Sequence, residues 1–451
     1  MSSGKLATKI FYAYGFAEFS LGFLTIMGVQ YFAFFLTDTA LIAPAIVATI
    51  LLIGRVVDVV DVPIIGMVVE KSNLPWGKYR SWLFLAPIFA VLFSMLMFTN
   101  FNVSTPVKIV YLSSAYIIGY VFVNLISTSR FALLPTFTSD QDERAKLASR
   151  RGQGSALSQI VKGATVLPLI ALLGGGNDAK GYFYTVIIFG VVVIAGLYWL
   201  AILAKDYDKP STTKGQKSVS VKQMLTQIGT NKPLLILMLS DICRLTATNI
   251  LVGFGMYYFR YVVGNLMMFA LYLPITFAGG FLGNTFSHIL AKKYDKKATY
   301  NAGIAIWFLG MSLVLLFAGK SAPLFIACVT VAQFGAGIAN GLIQAFYSDT
   351  ADYGEWKTGK STRAVNMGLV LFPIKIGVLL GGSIAAYGLV AIGFHAGTKD
   401  PAIINSIRTM VAVLPALTSI LAILFMSLYP LNKEKVNNLQ LEIKQRSSVA
   451  D

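Results

Sequence analysis

The chain has 451 residues, of which 56% are apolar and only 13% are charged, and its mean hydropathy is +0.69. A soluble protein carries about twice that share of charge, so the composition excludes an ordinary soluble domain. The formal net charge of +17 would suit a nucleic-acid partner, but Lys and Arg gather between apolar stretches, and we expect no such partner. The two cysteines, Cys243 and Cys328, lie in apolar stretches and predict no disulfide framework.

Apolar stretches long enough to cross about 30 Å of hydrocarbon follow one another along the chain. We predict twelve spans, at 10–37, 42–69, 81–100, 106–137, 152–174, 181–204, 233–259, 265–291, 299–318, 322–348, 364–394 and 402–430. The expected fold class is an all-α integral membrane protein with two six-helix bundles. Its predicted parts are an N-terminal bundle (1–204), a lysine-rich cytoplasmic central loop (205–232), a C-terminal bundle (233–430) and a cytoplasmic tail (431–451).

The Lys and Arg residues are distributed unevenly between the two sides of these spans. The tails and the even-numbered connections hold 26 of the 37, whereas the odd-numbered connections hold five. Because positive charge accumulates on the cytoplasmic side, both termini are expected in the cytoplasm, with the chain in the cell membrane.

The segment GRVVDVVDVP (54–63) places three ionisable groups inside the second predicted span. Successive offsets of about 60° put Arg55, Asp58 and Asp61 in one slanting stripe on a helix. A charge at the bilayer centre costs about 2.5–3.5 kcal/mol, so such groups normally face a cavity or a partner. Two neighbouring carboxylates favour a shared proton or a bound cation, which suits coupling to Na⁺ or H⁺. A structural ion-pair network is the alternative interpretation.

Single polar residues interrupt other spans. Glu18, near the start of the first span, and Lys375, deep in the eleventh, are candidates for a polar site. Asn249 in the seventh span is a candidate hydrogen-bonding partner for a hydroxylated ligand. Arg130 and Lys162, in the fourth and fifth spans, are interpreted as side chains that extend to the membrane surface and receive no functional role.

Two further groups of charges lie in the second half. Asp241 and Arg244 stand three residues apart and can pair on their own helix, which leaves a structural and a functional role open. The acids Asp349, Asp352 and Glu355 come at the cytoplasmic end of the tenth span. We expect them to pair with basic loops as a cytoplasmic gate, with a metal site as the less favoured alternative.

Four motifs resemble one known family. GRVVDVVDVPIIG followed by LPWGKYRSW resembles the signature of the glycoside–pentoside–hexuronide:cation symporters, the melibiose permease group of the major facilitator superfamily. LLPTFTSDQDERAKLASRR (133–151), VGFGMYYFRYVVGN (252–265) and SDTADYGEWKTG (348–359) are similar to its other motifs, in the same order. The resemblance implies the twelve-helix fold of that superfamily and transport of a glycoside or related solute with Na⁺, H⁺ or Li⁺.

On the cation side, the resemblance implies that Asp58 is the family's first cation-site aspartate and Arg55 the arginine one turn before it. Asn124 stands where melibiose permease has a threonine beside the cation. Val62 stands where the second cation aspartate of that protein precedes a proline. Asp61 comes one residue earlier, which rotates it by about 100° around the helix, so Na⁺ use is not carried over.

On the solute side, the resemblance implies roles for Phe131, in place of a sugar-stacking tryptophan, for Arg151 and for Lys375. Gly22 and Ser127 replace the two aspartates that grip the sugar in melibiose permease. Glu18 lies one turn from Gly22 and is the candidate replacement. Galactoside specificity is therefore not carried over either.

Residues and resemblance together predict a cation-coupled symporter for a sugar, glycoside or related polyhydroxylated solute, working by alternating access. The expected cation-binding residues are Asp58, Asp61 and Asn124. The expected solute-binding residues are Glu18, Arg55, Ser127, Phe131, Arg151, Asn249 and Lys375.

We expect no cofactor apart from the coupling ion Na⁺ or H⁺, no metal site apart from a possible Na⁺ at Asp58 and Asp61, and a monomer in the lipid bilayer. A transporter of lysophospholipids or other amphiphiles and an uncoupled sugar uniporter remain open as alternatives. A membrane-embedded enzyme is disfavoured, because the sequence offers no nucleophile–base pair or metal-ligand cluster.

Overall fold

The computed structural model of the protein describes residues 7–72, 74–138, 140–208, 221–359, 365–366 and 369–450. Within these ranges the regular structure is helical, and no strand occurs. The helices are α1 Thr8–Thr39, α2 Pro44–Lys71, α3 Arg80–Met97, α4 Thr105–Phe137, α5 Gln141–Gly174, α6 Asp178–Leu203, α7 Val221–Thr230, α8 Lys232–Val263, α9 Leu266–Tyr294, α10 Lys296–Ala318, α11 Ala322–Thr358, α12 Leu371–Ala391, α13 Pro401–Ser427 and α14 Lys433–Ala450.

Eleven helices in the described ranges are long and apolar enough to cross a membrane. The second helix, α2, has 28 residues and the length of a span, but its charges set it apart from those eleven. Every 18-residue stretch of α2 contains Arg55, Asp58 and Asp61. The predicted all-α membrane fold is confirmed, and the exception is the helix that carries the charged stripe.

The structure gives further detail on three of the segments that join or follow the predicted spans. The end of the predicted central loop, Val221–Thr230, forms the amphipathic helix α7, while 209–220 lies outside the described residues. The predicted start of the eleventh span at residue 364 also lies outside them, and α12 begins at Leu371. The tail, whose sequence is polar, forms the helix Lys433–Ala450.

The chain divides into two compact units. The first comprises Met1–Gln216, Leu266–Pro274 and Gly393–Thr398. In it α1 packs on α5 and α6, α3 packs on α4 and α6, and α2 packs on α4. Gly15 and Gly154 allow the close approach of α1 and α5, because a Cβ at Gly154 would collide with the backbone of Gly15.

The second unit comprises Lys217–Asn265, Ile275–Ile392 and Lys399–Asp451. Here α8 packs on α12 and α13, and α10 packs on α11 and α13. These pairings repeat those of α1 with α5 and α6 and of α3 with α4 and α6, as expected for two copies of one helical repeat. The tail helix α14 packs on α11.

Candidate cation and solute sites

The charged stripe of α2 faces α4 inside the first unit. The side chains of Asp58 and Asp61 are buried, with exposed fractions of 5% and 7%. The side-chain nitrogen Nδ2 of Asn124 on α4 lies 2.7 Å from Oδ1 of Asp58. The same nitrogen lies 3.0 and 3.1 Å from the two carboxylate oxygens of Asp61. One amide therefore donates to both acids of the stripe.

Arg55 supplies the positive charge of this cluster. One terminal guanidinium nitrogen, Nη1, lies 3.9 Å from Oδ2 of Asp58, and the other, Nη2, donates to the Tyr120 hydroxyl at 3.5 Å. The guanidinium carbon also lies 4.8 Å from the ring centroid of Tyr120 and 5.7 Å from that of Tyr116. Aromatic rings hold the arginine beside the acids by cation–π attraction.

With both acids ionised, the cluster of Arg55, Asp58 and Asp61 has a net charge of −1. One bound proton or one monovalent cation would make it neutral. Within the described part of the chain no three His, Cys, Asp or Glu side chains meet as a metal-ion site. The two carboxylates fit a small hard cation or a proton.

A second charged cluster lies where α1, α4 and α5 meet. The Glu18 carboxylate on α1 forms an ion pair and hydrogen bond with the Arg130 guanidinium on α4. Arg130 is almost fully buried, at 2% exposed, whereas the side chain of Glu18 is 22% exposed. The Tyr14 hydroxyl donates to the backbone oxygen of Arg130 at 3.2 Å, which fixes α4 against α1.

Phe131 forms the most open part of this second cluster. Its side chain is 37% exposed. The guanidinium carbons of Arg151 and Arg130 lie 4.9 and 5.2 Å from its ring centroid. Ser127, one turn earlier on α4, donates its hydroxyl to the Val123 carbonyl oxygen at 2.9 Å. Three predicted solute residues, Glu18, Phe131 and Arg151, thus lie close together.

The interpretation of Arg130 and Lys162 as residues that extend to the membrane surface is wrong. The side chain of Lys162 is only 5% exposed. Its Nζ donates to the Gly22 carbonyl oxygen at 3.4 Å and interacts electrostatically with Glu18. The sequence offered one signal for these contacts. Two bases, Arg130 and Lys162, and one acid, Glu18, all lie inside predicted spans, and buried charges need partners.

The candidates of the second unit occupy its first and fifth long helices. Asn249 on α8 donates to the Leu245 carbonyl oxygen at 2.8 Å, and Lys375 on α12 is half-buried. Gly377 and Gly381 bring α12 close to α8, because a Cβ at either would come within 2.5 Å of Leu245 or Asn249. The two candidates therefore lie on helices in direct contact.

Asp241 and Arg244 pair on α8, as their spacing allows. The Nε and a terminal nitrogen of Arg244 donate to Oδ1 of Asp241 at 2.9 and 2.6 Å. Asn340 on α11 accepts from the same arginine at 3.5 Å. Arg244 thus pairs within α8 and links α8 to α11 through Asn340.

The acids at the end of α11 make contacts inside the second unit. Asp349 forms an ion pair with Lys296, the first residue of α10. Asp352 accepts a hydrogen bond from Gln440 of α14 at 2.8 Å. Glu355 is half-buried, and its backbone oxygen accepts from Gly359 at 2.8 Å. Two of the three predicted gate acids thus join α11 to neighbouring segments.

Comparison with known proteins gives the family. Residues 13–433 match the family model described as MFS/sugar transport protein. The isoprimeverose transporter of Lactiplantibacillus pentosus is 27% identical, over 98% of this chain and 93% of its own length. The glucuronide carrier protein homolog of Escherichia coli (strain K12) is 26% identical, over 99% of this chain and 97% of its own length.

A solved structure shares the fold. The bacterial homologue of the iron transporter ferroportin in its inward-facing state aligns with a TM-score of 0.69 and 11% identity, over 95% of this chain and 99% of that one.

The family model and the two relatives show that the molecule is a membrane transporter and not an enzyme. The chain belongs to the MFS/sugar transport protein family, as its resemblance to the glycoside–pentoside–hexuronide:cation symporters predicted.

Proposed function

We propose that this transporter couples movement of a sugar or glycoside to that of a monovalent cation, Na⁺ or H⁺. One observation carries the proposal: the buried Asp58 and Asp61 share the amide of Asn124 beside a single arginine. Two ionised carboxylates this close together repel each other, and a proton or a monovalent cation bound between them removes that repulsion.

Coupling of solute to cation follows from the way a bound cation offsets the charge of the acid pair. Cation binding neutralises the cluster on α2 and favours the arrangement of the protein that accepts solute. By linkage, bound solute then raises the affinity for the cation by the same factor. Alternating access would move the N-terminal bundle (1–204) against the C-terminal bundle (233–430).

The solute class is inferred from relatives and from residue chemistry. One relative is named as an isoprimeverose transporter and another as a homolog of a glucuronide carrier. Isoprimeverose and glucuronides are both glycosides. An exposed aromatic ring at Phe131 suits the apolar face of a sugar, while Glu18 and Arg151 suit its hydroxyl groups. Asn249 and Lys375, on the second unit, are proposed as further solute-binding residues.

Orientation and assembly are also proposals. The surplus of Lys and Arg in the tails and even-numbered connections supports cytoplasmic termini. We infer a monomer as the working unit, because the proposed cation site is built within one chain. A gate at the cytoplasmic end of the transporter would be formed by three acids, Asp349, Asp352 and Glu355.

The test is cation binding to the purified protein. Wild-type protein, Asp58→Asn and the control Asp178→Asn would be titrated with ²²Na⁺, and proton release would be followed by a pH indicator. Asp178 is exposed at the start of α6, so its loss should leave binding intact. We expect binding of one ion that Asp58→Asn abolishes. Equal binding by all three proteins, or no binding to wild type, would overturn the proposal.

A further inference from the structure

The cluster between α1, α4 and α5 has more positive than negative charge. Arg130, Lys162 and Arg151 carry three positive charges, and Glu18 carries the one carboxylate among them. The Tyr14 hydroxyl interacts electrostatically with Arg130, Arg151 and Glu18, so these groups share one neighbourhood. The cluster thus has a net charge of +2 inside apolar helices.

Donor groups of this cluster are also underused. In the described part of the chain, Nε of Arg130 and Oγ of Ser158 are buried without a hydrogen-bond partner. Lys162 makes a long bond of 3.4 Å to a backbone oxygen. Buried donors without full partners are unfavourable in a resting protein and are typical of a site that waits for an acceptor.

Gly22 lies beside Lys162, for which Glu18 is the one interacting acid in the described part of the chain. A Cβ at Gly22 would collide with Oγ of Ser158 and would lie 3.5 Å from Nζ of Lys162. A carboxylate at this position would therefore pair with Lys162 and lower the net charge. With glycine there, the space beside the lysine goes to the Ser158 hydroxyl, and Lys162 has to share the Glu18 carboxylate with Arg130.

We propose that the missing acid is supplied by the solute, and that this transporter selects sugars that carry a negative charge. The proposal rests on the proposed function. The acidic group would bind between Arg151 and Arg130, with the sugar ring on the exposed face of Phe131. Glu18 would release Arg130 and pair with Lys162, which already lies within its electrostatic reach. Two acids would then face three bases.

This exchange of partners gives the two residues opposite signatures. Glu18 competes with the solute for Arg130, so Glu18→Gln should tighten binding of an acidic sugar. Lys162 receives the displaced carboxylate, so Lys162→Met should weaken it. Hydrogen bonds to charged groups are worth about 1.5–3 kcal/mol, so each change should reach about tenfold. A structural role alone would move both variants in the same direction.

The experiment compares matched probes on purified protein in nanodiscs. The probes are methyl β-glucoside, its uronate and its 6-sulfonate, and the same trio built on galactose; dissociation constants are measured by calorimetry. The two acids separate a carboxylate from a sulfonate as the preferred group. Lys162→Arg should restore wild-type binding, and Lys180→Met, an exposed lysine of α6, should leave it unchanged.

We expect at least one acidic probe to bind at least tenfold more tightly than its neutral partner, with the opposite shifts in Glu18→Gln and Lys162→Met. Arg151→Gln, at a half-buried position, serves if Lys162→Met fails to fold, and it should weaken acidic probes only. Equal affinity for neutral and acidic probes would overturn this inference and leave the symport proposal standing. Failure of all probes to bind, with cation binding still dependent on Asp58, would overturn the inference alone.

Discussion

The side-chain amide of Asn124 lies 2.7 Å from the carboxylate of Asp58, across the contact between α4 and α2. The same nitrogen reaches both oxygens of Asp61 within 3.1 Å. The amide N–H groups partly offset the repulsion between the two acids, as a bound cation would do more fully. The proposed coupling site is therefore already organised by the packing of two helices.

Arg55 should weaken cation binding at this site. Its guanidinium lies 3.9 Å from Asp58, and its positive charge repels an incoming cation. In Arg55→Gln the acid pair would have a net charge of −2. We expect the cation affinity to rise about tenfold. This change corresponds to only a small part of the unscreened Coulomb repulsion at this distance. Isothermal titration of purified protein with Na⁺ at several pH values measures the change.

Arg55→Lys is the matched control for that variant. A lysine keeps the positive charge but loses the planar stacking on Tyr120. Its cation affinity should stay close to that of wild type. A lower affinity in Arg55→Gln than in Arg55→Lys would show that the arginine organises the site instead of opposing the ion.

The pair of Glu18 and Arg130 should stabilise the first unit by mutual dependence. Arg130 is 2% exposed, so Glu18→Gln leaves a buried cation without its partner. The expected loss of stability is about 3 kcal/mol. In the double variant Glu18→Gln/Arg130→Gln much of this loss should return, since no charge is left uncompensated. Thermal unfolding of the wild type, Glu18→Gln, Arg130→Gln and the double variant gives the coupling energy. Additive losses would contradict the prediction.

The acid stripe of α2 could be predicted from sequence because helical periodicity fixes neighbours on one helix. Residues three apart must lie on adjacent turns, so Arg55, Asp58 and Asp61 were expected together. The contribution of Asn124, over 60 residues away, came only from the family resemblance. Local geometry is encoded in spacing, whereas helix pairing is not.

The second cluster shows the limit of that reasoning. Glu18 and Arg130 are separated by 112 residues, and nothing in either local sequence states that α1 meets α4 at this depth. Lys162 lies in the middle of the fifth predicted span, nothing in its local sequence names a partner, and yet it is only 5% exposed. Burial depends on the packing of three helices, which requires the complete fold.

Asp208 should act as a remote cap of α3. Its Oδ2 accepts from the backbone N–H groups of Tyr79 and Arg80 at 2.8 and 2.6 Å. Gly77, with φ of +120°, lets the preceding loop lie against it. Asp208→Ala would leave helix-start N–H groups without an acceptor, at a cost of about 1–2 kcal/mol.

Asp206 provides the control for this cap, because it lies two residues earlier and is exposed. Asp206→Ala removes the same charge without removing a helix cap. A lower melting temperature in Asp208→Ala alone would support the assignment. Equal melting temperatures would show that water or another group replaces the carboxylate.

The tail helix α14 should contribute to the stability of the second unit through its apolar face. Leu439 is 9% exposed and belongs to the core that includes Leu342 and Tyr347, whereas Leu441 is 58% exposed. Truncation of a largely buried leucine removes its buried surface and leaves a cavity, so Leu439→Ala should cost about 2 kcal/mol. Leu441→Ala makes the same chemical change on the same helix and should cost less than about 0.5 kcal/mol. Thermal unfolding of the wild type and of both variants measures these losses. Equal effects of the two substitutions would mean that α14 does not stay packed on α11 in solution.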